Sequence, residues 1–212
     1  MELRWLGRIG YEAALAEQHA VREAVSAGQD DVCLLLEHDP VVTLGRRGGL
    51  FDAPALARLE TPVIATDRGG YATWHGPGQL VVYPIIDTAR ARLPIKPLVA
   101  ALGDVMIGVA EALGLRGVDF DPERPGVYVG GKKLGSIGLH LTRGVTTHGL
   151  AINICNDLEG FRAIVPCGFA DLQITTVARE TGANPTLADA RAAAERLLPT
   201  LLARRAADDA AP

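Results

Sequence analysis

Apolar positions recur at helical spacing in two long segments, with strand-length apolar runs between and after them. Tyr11 to Ser26 reads as an amphipathic helix with Tyr11, Leu15, Val21 and Val25 among its apolar positions. Pro97 to Leu113 keeps a 3.6-residue period through Leu98, Ala101, Val105, Val109, Ala112 and Leu113, with Pro97 near its start and Gly114 near its end. Short apolar runs at Val32 to Leu36, Val41 to Leu44, Pro62 to Thr66 and Leu80 to Ile86 predict strands, and His38-Asp39-Pro40 breaks the first from the second. From Gly126 the pattern becomes a meander: Gly126 to Val129, Leu134 to Leu141 and Leu150 to Ile154, joined by Gly-rich or polar turns. Leu187 to Arg205 predicts a closing Ala- and Arg-rich helix, with the tail Ala206 to Pro212 expected to fray. No repeat or linker interrupts the pattern. The expectation is one α/β domain (α+β type) over residues 1–212, a mixed sheet flanked by helices.

Composition changes this picture little. The chain has 212 residues, 48% hydrophobic, enough for a sizeable core without a disulfide framework. A net charge of -4 points to neither nucleic acid nor an anionic membrane as a partner. The first ten residues lack the apolar core of a signal peptide, and no apolar run is long enough to span a bilayer. Three cysteines, an odd number, then suggest free thiols and a cytoplasmic location. Lysine is scarce: of 21 cationic residues only Lys96, Lys132 and Lys133 are lysines, and two of these are adjacent.

Several familiar signatures fail. Gly126 to Lys132 imitates the start of a phosphate-binding loop, but Lys133 stands where Ser or Thr must hold magnesium, and strand-like residues follow. Gly76-Pro77-Gly78 precedes a strand, whereas a dinucleotide fingerprint follows one. Ser136 has Leu134 where a nucleophile elbow needs glycine. The cysteines lack zinc-ribbon spacing and the histidines are scattered, so no metal site is expected.

Context separates the cysteines. Cys33 sits inside an apolar run and reads as core. Cys155 shares a strand face with Asn153, opposite Ile152 and Ile154, and reads as a packing residue, with a lining role as the alternative. Cys167 lies in Val165-Pro166-Cys167-Gly168, between a residue that stiffens the backbone and one that frees it, which suits presentation of a thiol at a loop tip. Local sequence leaves an inert role open. A free thiol titrates near ~8.5, and lowering that by two units takes about 2.7 kcal/mol from a nearby cation. Lys132 and Lys133 are the candidates for that cation, and a solvated hairpin tip is the alternative for both. The richest stretch is Arg68-Gly69-Gly70-Tyr71-Ala72-Thr73-Trp74-His75-Gly76-Pro77-Gly78-Gln79. Its four glycines admit close backbone approach, Tyr71 and Trp74 can wall an apolar slot, and Arg68 and His75 add polar ends. That mixture indicates a ligand site more than a turn.

These segments resemble the lipoyl (octanoyl) transferase family, also called lipoate-protein ligase B. The resemblance runs from Arg68-Gly69-Gly70 and His75-Gly76-Pro77-Gly78-Gln79 through Tyr83-Pro84-Ile85 and Gly131-Lys132-Lys133-Leu134-Gly135-Ser136-Ile137-Gly138. It continues in Thr147-His148-Gly149-Leu150-Ala151-Ile152-Asn153 and closes on Val165-Pro166-Cys167-Gly168, so it covers roughly Leu34 to Thr176. It implies the biotin/lipoate protein ligase catalytic-domain fold over about residues 30–205, with a smaller second sheet. It implies that Cys167 takes an octanoyl group from acyl carrier protein as a thioester, and that a lysine of a lipoyl domain then takes it as an amide. The acceptors implied are lipoyl domains of 2-oxoacid dehydrogenase E2 subunits and the glycine cleavage H protein. Lys133 matches the family's catalytic lysine, and Lys132 a position filled more loosely. Arg68, Gly69, Gly70, Tyr71, Ala72, Thr73, Trp74, His75, Ser136, Ile137, Gly138, Gly149, Leu150 and Ala151 match the segments that hold the acyl chain and its carbonyl. Gly76, Gly78, Gln79 and His148 support them.

Gly135-Ser136 and Phe169 are mild departures that bear on pocket shape. Thioester exchange is near neutral and the amide step downhill, so neither ATP nor a metal is implied as cofactor. Backbone amides near Gly168 or Leu150 are candidates for the oxyanion. An octanoyl chain buries about six methylenes, roughly 5 kcal/mol at ~0.8 kcal/mol each. The family's protein partners are acidic, which makes Arg46-Arg47 a docking patch, a solvated loop being the alternative; a monomer is expected. The rival readings are an ATP-dependent lipoate or biotin ligase on the same fold, a non-catalytic acyl-binding module and a cysteine hydrolase.

Overall fold

The computed structural model describes residues 1–165 and 172–209. Ten strands form two sheets among the described residues: β1 (Glu2–Ile9), β2 (Val32–His38), β3 (Val41–Leu44), β4 (Val63–Ala65), β5 (Thr73–His75), β6 (Gln79–Ile85), β7 (Val118–Asp121), β8 (Gly126–Val129), β9 (Lys132–Thr142) and β10 (Val145–Asn153). The large sheet has the order β1-β2-β6-β10-β9-β8-β7, and β4-β3-β5 form the small one. Only β1 with β2 and β3 with β4 run parallel; every other ladder is antiparallel. The expected mixed sheet with a smaller partner is thus the observed architecture.

Alternation along the central strands explains how the large sheet is covered on both faces. Leu80 and Val82 of β6, with Cys33 and Leu35 of β2, point to α3 (Ile95–Ala112) and α6 (Leu187–Asp209). Val81, Tyr83, Leu34 and Leu36 point the other way, to α1 (Tyr11–Ser26). α3 buries Leu98, Ala101, Leu102, Val105, Met106 and Val109 at the spacing its sequence predicts. α6 meets it through Leu198 and through Ala190, Ala193 and Ala194, whose small side chains let the two helices approach. This helix continues to Asp209, past the boundary expected at Arg205.

Three further helices are short: α2 (Ala53–Arg58), α4 (Glu159–Arg162) and α5 (Val177–Thr181). They escape the apolar pattern because none completes two turns. β1 escapes it too. It is an edge strand, half-exposed along most of its length, and its apolar residues are interleaved with Arg4 and Arg8. The resemblance to a phosphate-binding loop has a plain structural cause: Gly130 and Gly131, with φ of 53° and 78°, make the two-residue hairpin between β8 and β9. Among the described residues no helix is long and apolar enough to cross a membrane.

Candidate functional site

The Arg68–Gln79 run joins the two sheets. Arg68 is buried, and its guanidinium braces β3: Nη2 donates to the Thr43 carbonyl at 2.6 Å and to Thr43 Oγ1 at 2.8 Å, while Nη1 donates to the Gly69 carbonyl at 2.9 Å. The loop then lies on β9, where Gly69 N–H donates to the Leu139 carbonyl at 3.0 Å. Glycine is required on both sides of this contact. A Cβ at Gly138 would sit 2.9 Å from the Gly69 carbonyl oxygen, and one at Gly45 would collide with the Gly70 carbonyl.

Held this way, the loop roofs a cavity of about 180 Å³, where a single water needs only about 10–15 Å³. Arg68, Gly69, Gly70, Tyr71, Ala72, Thr73, His75, Lys133, Ser136, Ile137, Gly138, His148, Gly149, Leu150 and Ala151 all line it. Trp74 does not. On β5 the side chains alternate, and with Thr73 and His75 turned to the cavity Trp74 goes the other way, into a small core with Leu56, Leu158 and Phe161. Its ring meets Phe161 edge-on at 5.4 Å. The apolar wall role expected for Trp74 is therefore not where the structure puts it. Gly76 and Gly78 also lie outside the lining, and Gln79 stands behind His75, accepting from its Nδ1 at 2.7 Å.

The buried polar groups of the site are held neutral or braced. Burial, with His38 nearby, pushes the His75 imidazole down to about 3. Because a carboxamide oxygen can only accept, His75 carries its proton on Nδ1. Burial likewise pushes His38 down to about 4, and its Nδ1 donates to the Ile9 carbonyl at 3.0 Å while Nε2 accepts from the Tyr83 hydroxyl at 2.7 Å. His148 has a φ of 58°, which breaks strand alternation and turns its ring away from the face of Leu150 and Ile152. There Nε2 donates to Asp67 Oδ1 at 2.7 Å, and the backbone N–H donates to Gln18 of α1 at 2.7 Å. Burial is the largest single influence on Asp67 and opposes ionisation, but the hydrogen bond and charge of His148, with His140, outweigh it and lower its pKa.

Lys133 and Lys132 are neighbours in sequence and opposites in structure. Lys133 is 3% exposed and lines the cavity, with Nζ 5.2 Å from the centre of the Tyr128 ring. Lys132 points outward to Glu180, 2.7 Å away. A short segment runs beside Lys133 in parallel: Lys133 N–H donates to the Gln173 carbonyl at 2.8 Å, and Thr175 N–H donates to the Lys133 carbonyl at 3.0 Å. Upstream, Val165 N–H donates to the Leu50 carbonyl at 2.9 Å, and Phe51 pairs with Ile164. Cys167, with Pro166, Gly168 and Phe169, lies outside the described residues.

With this geometry in place, comparison with known proteins is decisive. Residues 10–198 match the lipoyl protein ligase A/B catalytic domain. The chain belongs to that family. An octanoyltransferase of Halorhodospira halophila is 42% identical over 174 residues, covering 82% of this chain and 79% of its own. Among solved structures, a lipoate-protein ligase A bound with ATP has a TM-score of 0.76 at 18% identity, covering 95% of this chain and 86% of its own. A biotin protein ligase from Aquifex aeolicus has a TM-score of 0.57 at 13% identity, covering 98% of this chain and 71% of its own. At those identities the two ligases establish the shared fold and nothing further.

Within this family member, the cavity has walls that sequence reasoning passed over. Tyr11, Arg47, Tyr83, Glu123, Arg124 and Pro125 also line it. Tyr11 was legible only as the first apolar position of α1, although a tyrosine directly after Gly10 sets a hydroxyl at a helix start. The turn from Asp121 to Pro125 carries two prolines and three charges, a signal of an exposed loop and not of a cavity rim. Of the remaining cysteines Cys33 lies in the core as expected, whereas Cys155, expected to pack, does not. Cys33 is buried, its thiol pushed up to about 12 by burial and Asp31, and Cys155 is exposed. Among the described residues no cluster of His, Cys, Asp and Glu could hold a metal ion.

Proposed function

We propose that this protein is an octanoyltransferase of protein lipoylation, which takes an octanoyl group from acyl carrier protein onto Cys167 and passes it to a lipoyl-domain lysine. The observation that carries the reading is Lys133, a lysine 3% exposed in the wall of a cavity that it shares with Tyr71, Ala72, Ile137, Leu150 and Ala151. An ammonium there favours a thiolate, and it can give up a proton and later take one back. The segments that flank Cys167 in sequence support it. Val165 is tied to Leu50, and Gln173 to Thr175 are tied to Lys133 itself.

In the first step the Cys167 thiolate attacks the thioester carbonyl. The carbon–sulfur bond to the carrier breaks, and the carrier's thiolate leaves with a proton given up by the Lys133 ammonium. In the second step the neutral acceptor amine attacks the Cys167 thioester. The amide forms, Cys167 leaves as thiolate, and the surplus amine proton returns to the Lys133 amine that gave one up in the first step. One thioester is exchanged for another and then for an amide, so no nucleotide is consumed and no metal is called for. The acyl tail lies against Tyr71, Ala72, Ile137, Leu150 and Ala151, which discriminate a missing methylene by about 1–3 kcal/mol. Carrier and acceptor domains dock at the exposed Arg46 and Arg47, with Leu50, 74% exposed, supplying an apolar contact beside them. The acceptors are the lipoyl domains of 2-oxoacid dehydrogenase E2 subunits and the glycine cleavage H protein, and the enzyme acts as a cytoplasmic monomer.

Intact mass after mixing with octanoyl-acyl carrier protein, without ATP, tests the reading. One added octanoyl group, released by hydroxylamine and absent in Cys167→Ser, is the expected result. Amide product that forms only with ATP and free acid would instead identify an ATP-dependent ligase.

A further inference from the structure

Asn153 closes β10 and is buried, yet it lies outside the cavity lining. Its carboxamide is engaged on both sides. Oδ1 accepts from Gln79 Nε2 at 2.8 Å and from Asn156 Nδ2 at 3.2 Å, while Nδ2 donates to the Thr175 carbonyl at 3.1 Å. Gln79 also donates to the Trp74 carbonyl at 3.3 Å, which fixes which end of its amide faces His75.

Followed in order, these bonds make one directional chain across the site. Arg68 Nε donates to Thr43 Oγ1 at 3.1 Å, and the Thr43 hydroxyl donates to His75 Nε2 at 3.5 Å. His75 Nδ1 donates to Gln79, Gln79 to Asn153, Asn153 to the Thr175 carbonyl, and Thr175 N–H to the Lys133 carbonyl. Every proton points the same way, so each link polarises the next as far as the Thr175 carbonyl, and from there Thr175 holds Lys133 through its own backbone N–H. The chain begins at the loop that roofs the cavity and ends on the strand that carries Lys133. Asn153 is the node where the two walls meet.

We infer that Asn153 is a positioning residue for acyl transfer: through its bond to the Thr175 carbonyl it sets where Lys133 stands relative to the wall that holds His75. The inference deepens the transferase reading and rests on it for its kinetic consequence. Its two sides have separable jobs. The donor side holds Thr175, and with it the Lys133 backbone, so its loss acts on the chemical step. The acceptor side holds Gln79, and with it His75 and the cavity wall, so its loss acts on acyl binding.

Two variants separate these jobs. Asn153→Asp keeps the shape and the acceptor side but cannot donate to Thr175. Asn153→Ala removes both. Asn153→Asp should lower kcat for octanoyl transfer by about 10- to 100-fold, the scale of a roughly 1 Å misplacement. Its KM for the octanoyl donor should stay within about twofold, whereas Asn153→Ala should raise KM as well. With three lysines in the chain, selective ¹⁵N-lysine labelling gives a readout that needs no turnover. In Asn153→Ala the Lys133 Nζ resonance should move while that of Lys96 stays. Wild-type kcat in Asn153→Asp, or an unmoved Lys133 resonance in Asn153→Ala, would overturn the inference. Failure of the wild-type protein to form an acyl-enzyme would overturn the transferase reading instead, and the resonance would still decide the positioning role.

Discussion

The two faces of the seven-stranded sheet are built from the same strands and do opposite things. Against α3 and α6 the sheet packs a continuous apolar cluster that includes Leu35, Leu80, Val82, Leu98, Met106 and Ile152. Around α1 and the cavity, the other face packs a smaller apolar cluster, and it and the elements over it bury His38, His75, His148, Gln18 and Lys133, with Arg68 from the loop above. Apolar burial stabilises at about 25 cal/mol per Å² and asks nothing of its neighbours. Each polar group costs free energy unless it is paired, which is why the second face is threaded with hydrogen bonds. One face supplies stability, and the other spends part of it to hold reactive groups in place.

The comparison is broken most sharply by exchanging what each face contributes. Lys133→Met should lower octanoyl transfer by about 10²–10⁴-fold, the range for a positioned acid–base group, with thermal unfolding little changed. Met106→Ala on the apolar face should do the reverse, costing about 2–5 kcal/mol in urea unfolding while kcat per folded molecule holds. If either variant lost both properties equally, the division between the faces would fail.

A smaller effect should appear with acid. Burial holds His38 at about 4, against a usual value near 6.5. Between those values the unfolded chain binds a proton on this imidazole and the folded chain does not. Stability contributed above the usual value is therefore lost as pH falls from 6.5 toward about 4, with a slope of about 1.4 kcal/mol per pH unit for one proton. His38→Gln should flatten that slope in urea midpoints measured across the window. An unchanged slope would mean that His38 is charged in the folded protein.

Surface charges sharpen the comparison at its edge. Arg46→Glu with Arg47→Glu should raise KM for acyl carrier protein severalfold, on the order of 1 kcal/mol, with kcat held. Lys132→Ala should do least. Its pair with Glu180 is partly exposed, and such pairs contribute about 0–1 kcal/mol. An effect of Lys132→Ala equal to that of Lys133→Met would remove the distinction between the two lysines.

What the sequence made legible follows the same division. Elements with a regular apolar pattern announce themselves: α1, β3 and β8 begin and end where the pattern places them. Most of the cavity was legible too, because glycine, aromatic and cationic residues concentrate in one run. What escaped depended on geometry that spacing does not encode. Trp74 looked like a cavity wall until alternation on a three-residue strand sent it the other way. His148 reached the site only through a left-handed backbone, and Tyr11 and Tyr83 reached it from elements read as core. Adjacent Lys132 and Lys133 differ in sequence only by the family resemblance; in the structure the burial of one and the Glu180 pair of the other tell them apart physically.

We propose that the cavity beside Lys133 holds the acyl chain during covalent transfer through Cys167. A crystal structure of the octanoylated protein tests it most directly. The expected result is continuous density from Cys167 Sγ into the space between Tyr71, Ile137 and Leu150, with Lys133 Nζ within hydrogen-bond reach of the thioester. An acyl chain lodged elsewhere, or attached to a residue other than Cys167, would contradict the account.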